Sequence, residues 1–411
     1  MLTLIVLILA IIAAIYMAWN IGANDVANSM GTSVGSGALT LKRAIIIAGI
    51  FEFLGAVLVG KHVTNTISKG IVSPAALDPN VLMIGMLASL IGAALWVTIA
   101  TYFGLPVSTT HSIVGAVMGF VMVVNMALIH WDVVARIVAS WVISPLSGAF
   151  IAYLIFLTLK KTVLGKEDPI KEAKMVAPFF IFLTAMTITM SIIYKGLKNL
   201  DLDLGLETSI VVSTITGVIA ALIGYAALRR YEGTYASEED KYRKLEHFFI
   251  YLQVMTAASV AFAHGANDVA NAVGPLVTIV NIYNGIEIGE SVTIPLWVLV
   301  LGGFGIVLGI STWGYKVIYT IGSKITDITP TRGFSAELST AFTVLVFSKL
   351  GMPISTSHVI VGSVLGVGIA RGLATVDYRV VKNIIYSWLL TIPVAMAFSA
   401  GIFILIKWIF L

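Results

Sequence analysis

Long stretches of this sequence carry almost no charge, and they leave lipid as the solvent in which the chain can fold. Runs such as Leu2–Trp19, Val133–Leu159 and Ile384–Leu411 contain few or no charged side chains. A helix of about 20 residues crosses the hydrocarbon core and forms all of its backbone hydrogen bonds internally, without water. Only 11% of the 411 residues are charged, whereas soluble domains carry about 25%. We therefore predict an all-α, multi-pass protein of the cell membrane.

Two polar motifs occur twice, in the same order along the chain. GANDVAN stands at Gly22–Asn28 and again at Gly265–Asn271. GLPVSTTHSIVGAVMGF at Gly104–Phe120 pairs with GMPISTSHVIVGSVLGV at Gly351–Val367, and ten of these seventeen positions are identical. We interpret the chain as a first repeat over residues 1–159, a central insert with two spans over 160–245, and a second repeat over 246–411.

The hydropathy pattern predicts about twelve membrane spans. The number of crossings between two equivalent spans decides whether the two repeats run through the membrane in the same direction or in opposite directions. The first span is expected over residues 2–20 and its mate over 246–264, seven crossings later, so the second repeat should be inverted. With both termini outside, 18 of the 25 lysines and arginines fall in cytoplasmic segments, as the positive-inside rule requires. Inverted repeats with broken or re-entrant helices are typical of secondary transporters.

Each copy of the first motif presents one carboxylate and two amides. These residues are Asn24, Asp25 and Asn28 in the first copy, and Asn267, Asp268 and Asn271 in the second. Spacings of three and four place them on one side of a helix, and Gly22 and Gly265 could allow local unwinding that frees backbone carbonyls. A carboxylate in the membrane needs a partner, and hard cations bind to carboxylate, amide and carbonyl oxygens. The motif predicts cation binding; capping of a broken helix is the alternative.

Each copy of the second motif presents three hydroxyls after a proline. These residues are Ser108, Thr109 and Thr110 in the first copy, and Ser355, Thr356 and Ser357 in the second. We expect Pro106 and Pro353 to end one helix and to begin the first turn of the next. Unpaired backbone N–H groups and the positive end of the helix dipole attract anions there. Two such turns could bind a tetrahedral oxyanion from both sides; ordinary helix capping is the alternative.

The two motifs explain each other electrostatically. An anion beside Asp25 and Asp268 is repelled, because neither motif contains a lysine or an arginine. Cations on the two carboxylates would remove this repulsion and make the binding of anion and cation mutually dependent, as symport requires. Glu52, inside the second predicted span, and Glu337, at the start of the tenth, are further candidates for a cation site, a gate or a proton acceptor. A salt bridge to another span, or for Glu337 a place at the membrane interface, is the alternative.

The doubled GANDVAN together with GLPVSTTH and GMPISTSH closely resembles the inorganic phosphate transporter (PiT) family. The resemblance implies a twelve-span inverted-repeat carrier, commonly dimeric, that moves phosphate with sodium, with protons or as a metal–phosphate complex. Glutamates matching Glu52 in FEFLGAV and Glu337 in SAELSTA matter in its sodium-coupled members, which favours sodium here. The implied phosphate ligands are Asn24, Asn28, Ser108, Thr109, Thr110, Asn267, Asn271, Ser355, Thr356 and Ser357. The implied cation ligands are Asp25, Asp268, Asn24, Asn267, Glu52 and Glu337.

Our interpretation of the sequence is a sodium-coupled phosphate symporter, embedded in the lipid bilayer and expected to be a homodimer. Proton-coupled phosphate symport, metal–phosphate symport, transport of another oxyanion such as sulfate, and a channel remain as alternatives. We expect no enzyme, because no nucleophile–base pair stands out, and no cofactor beyond co-transported sodium. The net charge of +4 is not typical of a nucleic-acid-binding protein, and the absence of cysteine excludes disulfides and thiolate metal sites.

Overall fold

The computed structural model describes residues 2–70, 72, 76–193, 204–229, 236–286, 294–349 and 354–410. These residues are almost entirely helical, and an isolated bridge between Val72 and Ile129 is the β-type pairing found among them. The prediction of an all-α protein is therefore confirmed. Pro353, which we expected to break a helix, lies outside the described residues.

The helices follow the apolar runs of the sequence. The first repeat predicted above contains α1 (Leu2–Gly35), α2 (Leu41–Gly70), α3 (Pro79–Tyr102), α4 (Thr109–Asn125) and α5 (Trp131–Leu159). The central insert contains α6 (Pro169–Ser191) and α7 (Leu206–Arg229). The remainder forms α8 (Glu238–Asp268), α9 (Ala270–Tyr283), α10 (Leu296–Trp313), α11 (Tyr315–Tyr319), α12 (Pro330–Lys349), α13 (Thr356–Arg371) and α14 (Tyr378–Phe410).

Capping residues fix several of the helix starts. Asp78 precedes α3, and its carboxylate accepts hydrogen bonds from the backbone N–H groups of Asn80 and Val81. Pro79 occupies the first helical position, where no backbone N–H is needed. Ser237 caps α8: its hydroxyl accepts a hydrogen bond from the backbone N–H of Asp240.

Ten helices among the described residues are long and apolar enough to cross a membrane. The two other expected spans correspond to α12, which is comparatively polar, and to α13, which has only 16 residues. Burial also differs along the chain. The most apolar window of α3 is 78% buried inside the protein, whereas that of α7 is 11% buried. Helix α3 is therefore enclosed by other helices, and α7 lies at the periphery.

Helix α1 differs from the expectation at the first GANDVAN motif. It continues without a break from Leu2 to Gly35, so the predicted end of a span near residue 20 and the local unwinding at Gly22 are wrong. Helix α8 likewise continues through Gly265 to Asp268, so the unwinding expected there is wrong too. A Cβ added to Gly22 would collide with the backbone carbonyl of Ile306 in α10, and one on Gly265 would collide with the carbonyl of Glu52 in α2. The glycines of the motif therefore allow close helix packing, which small residues provide in membrane proteins.

The same two helix pairs share a second contact of this kind. A Cβ on Gly309 in α10 would meet the carbonyl of Trp19, and one on Gly55 in α2 would meet the carbonyl of Phe262. Trp19 in α1 and Phe262 in α8 are 243 residues apart, the same separation as between Gly22 and Gly265. Gly55 in α2 and Gly309 in α10 are 254 residues apart. The packing of α1 on α10 is thus repeated, with the repeats exchanged, in the packing of α8 on α2.

The connection between α3 and α4 forms a tip inside the protein. Gly104 turns the chain with a φ of +66°, and its carbonyl accepts a hydrogen bond from Thr320. Pro106 lies before Ser108, the N-cap of α4, and not in the first helical turn as we expected. Its carbonyl instead accepts a hydrogen bond from the indole of Trp388. The hydroxyl of Ser357 donates to the carbonyl of Val107, so the start of α13 touches this tip.

The close contact at Gly22 can be tested with an alanine substitution. Gly22→Ala should lower the free energy of unfolding by about 1–3 kcal/mol, because the added methyl group overpacks the α1–α10 contact. Gly401→Ala in α14 is the matched control, since nothing lies within 4 Å of an added Cβ there. Thermal unfolding of the purified variants in detergent measures both. An unchanged melting temperature for Gly22→Ala would contradict the packing described here.

Candidate ion-binding site

Polar side chains from five helices meet in the interior. We call this set the central cluster; its members are Asp25, Asn28, Thr109, Thr110, Asp268, Asn271, Thr356 and Ser357. Helix α1 carries the first pair, the α8–α9 junction carries the second acid–amide pair, and the first turns of α4 and α13 carry the hydroxyls. The carboxylates are buried, with exposed fractions of 1% for Asp25 and 2% for Asp268. The structure therefore brings both copies of both motifs to one place.

Each carboxylate of the central cluster accepts a hydrogen bond from the hydroxyl turn of its own repeat. The Thr109 hydroxyl donates to Oδ2 of Asp25 at 2.7 Å. The Thr356 hydroxyl donates to Oδ2 of Asp268 at 3.2 Å. These two contacts join residues at equivalent positions in the two repeats.

Each amide of the central cluster reaches the hydroxyl turn of the other repeat. Nδ2 of Asn28 lies 2.9 Å from the Ser357 hydroxyl and 3.4 Å from that of Thr356. Nδ2 of Asn271 lies 3.1 Å from the Thr110 hydroxyl and 3.2 Å from that of Thr109. The amides thus link the two repeats directly across the site.

Two amide oxygens in the cluster are buried acceptors whose hydrogen-bonding capacity is unused. Oδ1 of Asn28 and Oδ1 of Asn271 find no hydrogen-bond partner within the described part of the chain. A buried acceptor without a partner is costly, and amide and carboxylate oxygens are the ligands that hard monovalent and divalent cations take. The donor set of the cluster therefore fits a small cation.

His264 lies among the carboxylates and was missed from the sequence. Its Nδ1 is 2.9 Å from Oε2 of Glu52. Its Nε2 is 2.9 Å from Oδ2 of Asp268 and 3.5 Å from Oδ2 of Asp25, though neither contact is aligned as a hydrogen bond. The signal that could have found it is the spacing of four between His264 and Asp268, which places both side chains on one face of α8.

The histidine and the two aspartates could share one ion. One ligand atom from each of Asp25, His264 and Asp268 lies within 4.8 Å of the others, and all three side chains are buried. A protonated imidazole at this position would itself supply positive charge between the acids. The place where we expected a cation is thus next to an ionisable side chain of the protein.

Glu52 belongs to the same site through His264. The side chain is fully buried, and its Oε1 also lies 3.4 Å from the Ser29 hydroxyl of α1. Neither Glu52 nor Glu337 pairs with a lysine or arginine in the part of the chain that the structure describes. For Glu52 the salt-bridge alternative corresponds to its contact with His264 on α8, which is an ion pair when the imidazole is protonated.

Glu337 lies in a second polar site inside the protein, separate from the central cluster. It is fully buried in α12, and its Oε1 accepts hydrogen bonds from Thr32 at 2.5 Å and Ser33 at 2.7 Å. Thr256 donates to its Oε2 at 2.7 Å, and Gln253 donates to Oε1 at 3.4 Å. Since Thr32 lies seven residues beyond Asp25 on α1, the two sites are about 10 Å apart along the helix.

Two of the predicted amide ligands lie outside the central cluster. Nδ2 of Asn24 donates to the Thr101 hydroxyl and the Leu105 carbonyl, and its Oδ1 accepts from the N–H of Val107. Asn24 therefore holds the α3–α4 tip in place, and its amide is fully used there. Asn267 is only half-buried and donates to Oδ1 of its neighbour Asp268 at 2.8 Å.

The first serine of each hydroxyl turn is a helix cap. The Ser108 hydroxyl accepts from the N–H of His111 at 3.2 Å, and the Ser355 hydroxyl accepts from the N–H of His358 at 3.3 Å. The capping alternative therefore describes these two hydroxyls. The following hydroxyls of each turn, in contrast, point to the carboxylates and amides of the central cluster.

A bundle of membrane-length helices that encloses paired acids, amides and hydroxyls at its centre defines the class as an integral membrane transporter. The chain belongs to the phosphate transporter family, whose model matches residues 21–399. This confirms the resemblance drawn from the motifs, and with it the expectation of a transporter and not an enzyme.

Individual relatives extend over nearly the whole chain. A Pyrococcus furiosus protein, provisionally named a phosphate permease, is 47% identical over 401 residues, which cover 97% of this chain and 95% of the relative. Inorganic phosphate transporter 2-1 of Arabidopsis thaliana chloroplasts is 42% identical over 420 residues, which cover 96% of this chain and 70% of the relative. The solved structure of a sodium-dependent phosphate transporter matches with a TM-score of 0.89 and 43% identity, over 98% of this chain and 99% of that one.

A double-mutant cycle tests the pairing of His264 with Glu52. Glu52→Gln and His264→Gln should each destabilise the protein, because each leaves the other partner's charge without compensation. The double variant should lose less free energy of unfolding than the two single variants lose together, and the difference, the coupling free energy, should be about 0.5–3 kcal/mol. Chemical unfolding of the four proteins in detergent measures the cycle. Additive losses would show that the two side chains do not interact as the structure describes.

Proposed function

We propose that this protein is a secondary active symporter that carries inorganic phosphate across the membrane together with sodium ions. The observation that carries the proposal is the central cluster. Two buried carboxylates share one space with two hydroxyl turns at helix N-termini, and no lysine or arginine contacts them in the described part of the chain. Membership of the phosphate transporter family and the likeness to a sodium-dependent phosphate transporter support the same substrates.

The cations bind, in this proposal, to the acidic side of the cluster. Asp25 and Asp268 supply the charged oxygens, and Oδ1 of Asn28 and Oδ1 of Asn271 supply the neutral ones that lack partners. Two unit charges 4 Å apart interact by about 4 kcal/mol at an effective dielectric constant of about 20. Sodium ions would therefore change phosphate from a repelled ligand into an attracted one. Asn24 keeps an indirect role by holding the α3–α4 tip in place.

Phosphate binds, in this proposal, between the first turns of α4 and α13. Thr109, Thr110, Thr356 and Ser357 supply hydroxyl donors, and the N-termini of the two helices supply positive dipole ends. The hydroxyls that now donate to the carboxylates can turn to an anion once cations occupy the acids. Ser108 and Ser355 then contribute as caps that hold the two turns in shape.

The mirrored contacts support an inverted-repeat architecture. We propose that residues 1–159 and 246–411 are the two repeats, joined by the insert 160–245, with both termini outside. The exchange of partners between α1–α10 and α8–α2, and between the two amides and the two hydroxyl turns, supports this relation. Alternating access then moves elements of one repeat against the other around the cluster. A homodimer in the lipid bilayer is proposed from the family resemblance.

Proton coupling is the second candidate, and one observation favours it. His264 places an ionisable imidazole between Glu52, Asp25 and Asp268, where a cation is otherwise expected. A proton on this side chain would offset the acids as a sodium ion does. In that case the imidazole, and not sodium, would make phosphate binding favourable.

Uptake of radiolabelled phosphate into proteoliposomes, with sodium and proton gradients imposed separately, tests the proposal. A sodium gradient alone should drive accumulation that saturates with phosphate, and excess sulfate should not compete. Accumulation driven only by the proton gradient would show that the coupling ion is the proton and not sodium. Conduction without saturation or sodium dependence would contradict symport.

Asp25→Asn keeps the shape of the side chain and removes its charge. Uptake at limiting sodium should fall at least about tenfold, because a cation site loses its strongest oxygen donor; tenfold corresponds to about 1.4 kcal/mol. Asp132→Asn, which removes an exposed carboxylate paired with Arg136, is the matched control. Unchanged uptake at both limiting and saturating sodium would refute the role of Asp25.

Glu337→Gln tests whether the second acidic pocket binds a sodium ion. The hydroxyl oxygens of Thr32, Ser33 and Thr256 surround the carboxylate and can turn to a cation. The variant should show a lower Hill coefficient for sodium and a higher half-saturating sodium concentration. Glu207→Gln in the exposed first turn of α7 serves as the control. A sodium dependence identical to that of the wild type would remove Glu337 from the cation sites.

A further inference from the structure

An apolar groove lies between α2 and α10, on the outside of the helix bundle. Its volume is about 500 Å³, and its walls include Ile46, Ile50 and Leu54 of α2 and Phe304 and Val307 of α10. These walls are open: the exposed fraction is 50% for Ile46, 52% for Ile50 and 57% for Phe304. Both helices are of membrane-spanning length and composition, so the groove faces the hydrocarbon of the bilayer.

The length of the groove matches one leaflet of a membrane. Its lining on α2 extends from Ile45 to Leu54, which corresponds to about 14 Å of helix at 1.5 Å per residue. This is about half of the roughly 30 Å hydrocarbon core. Gly49 lies in the groove without a side chain, and the Ser311 hydroxyl donates to the carbonyl of Val307 in its own helix. The groove therefore offers an apolar surface suited to a lipid chain.

Two positive charges stand at one end of the groove. Lys42 and Arg43 open α2, and helical periodicity places them one turn before Ile46 on the same face. Both are exposed, and neither forms an ion pair with an acidic side chain among the described residues. At the opposite end, the lining residues Leu54 and Phe304 are apolar. The charge at the groove is thus confined to one end, at the level where a lipid headgroup would lie.

We propose that this groove binds an anionic phospholipid, with one acyl chain along the groove and the headgroup phosphate against Lys42 and Arg43. Basic residues beside a membrane attract anionic headgroups, and the adjacent apolar groove holds the chain. The lipid would join a helix of the first predicted repeat to one of the second. It would also lie beside Phe53, next to Glu52, and so support the helix that carries the partner of His264.

Lipid retention by the purified protein tests the charged end of the site. Wild-type protein, loaded with phosphatidylglycerol or phosphatidylcholine and washed in detergent, is analysed by native mass spectrometry. It should retain one phosphatidylglycerol per protomer with at least a tenfold preference over phosphatidylcholine. The double variant Lys42→Gln/Arg43→Gln should lose this preference at least tenfold. Lys160→Gln/Lys161→Gln, which removes another exposed basic pair beyond α5, should keep it.

A second pair of variants tests the groove itself. Ser311→Phe fills the groove and keeps both charges, and it should also lower phosphatidylglycerol retention at least tenfold. Ser323→Phe is its control, because Ser323 is likewise exposed and donates to the carbonyl four residues earlier. Thermal unfolding and sodium-dependent phosphate uptake confirm that each variant is folded.

Three outcomes would overturn the proposal. Equal retention of both lipids by the wild type would remove the headgroup preference. Loss of retention in the charge variant but not in Ser311→Phe would mean adsorption at the surface without a chain in the groove. A change of oligomeric state in Ser311→Phe, with lipid retention unchanged, would assign the groove to a second copy of the chain.

Discussion

The repulsion between Asp25 and Asp268 is the constraint on which the rest of the structure depends. Both carboxylates are buried, both face the same cluster, and Glu52 adds a third acid through His264. Buried charges are tolerated only when they are paired or hydrogen-bonded. Hydroxyls, amides and one imidazole provide that compensation here, and the unused oxygens of Asn28 and Asn271 leave room for cations to complete it. An anionic cargo is acceptable in such a place only together with positive charge.

The mirrored helix packing explains how two distant parts of the chain build one site. Glycines let α1 approach α10 and let α8 approach α2 at backbone distance. Hydrogen bonds from Thr109 and Thr356 then join the two acids to the hydroxyl turns. Each amide then reaches across to the turn of the other repeat. In the proposed alternating access, movement between the two repeats breaks these cross-contacts and links ion occupancy to conformation at the same residues. A lipid in the α2–α10 groove would act on one of these helix pairs from outside.

The sequence predicted the helices and the class of protein, because apolar length and i, i+3 spacing are local properties. It predicted the meeting of the two motifs because both occur twice in the same order and because their charges complement each other through a cation. It could not reveal the neighbours that distant helices supply. Gly22 was expected to unwind the helix, yet its role depends on Ile306 in α10. Asn24 was expected at the ions, yet it holds a loop that begins at residue 103. His264 gains its significance from Glu52, 212 positions earlier. Such pairings are set by packing between distant helices; for His264, local spacing indicates only the contact with Asp268.

The most direct measurement is equilibrium binding of phosphate to the purified protein by calorimetry, first in sodium chloride and then in choline chloride at equal ionic strength. Phosphate should bind in sodium, with an apparent affinity that increases as the sodium concentration increases, and binding should be lost in choline. An affinity that is the same in both salts would mean that the two acids do not need a small cation between them and the anion, and the account would fail.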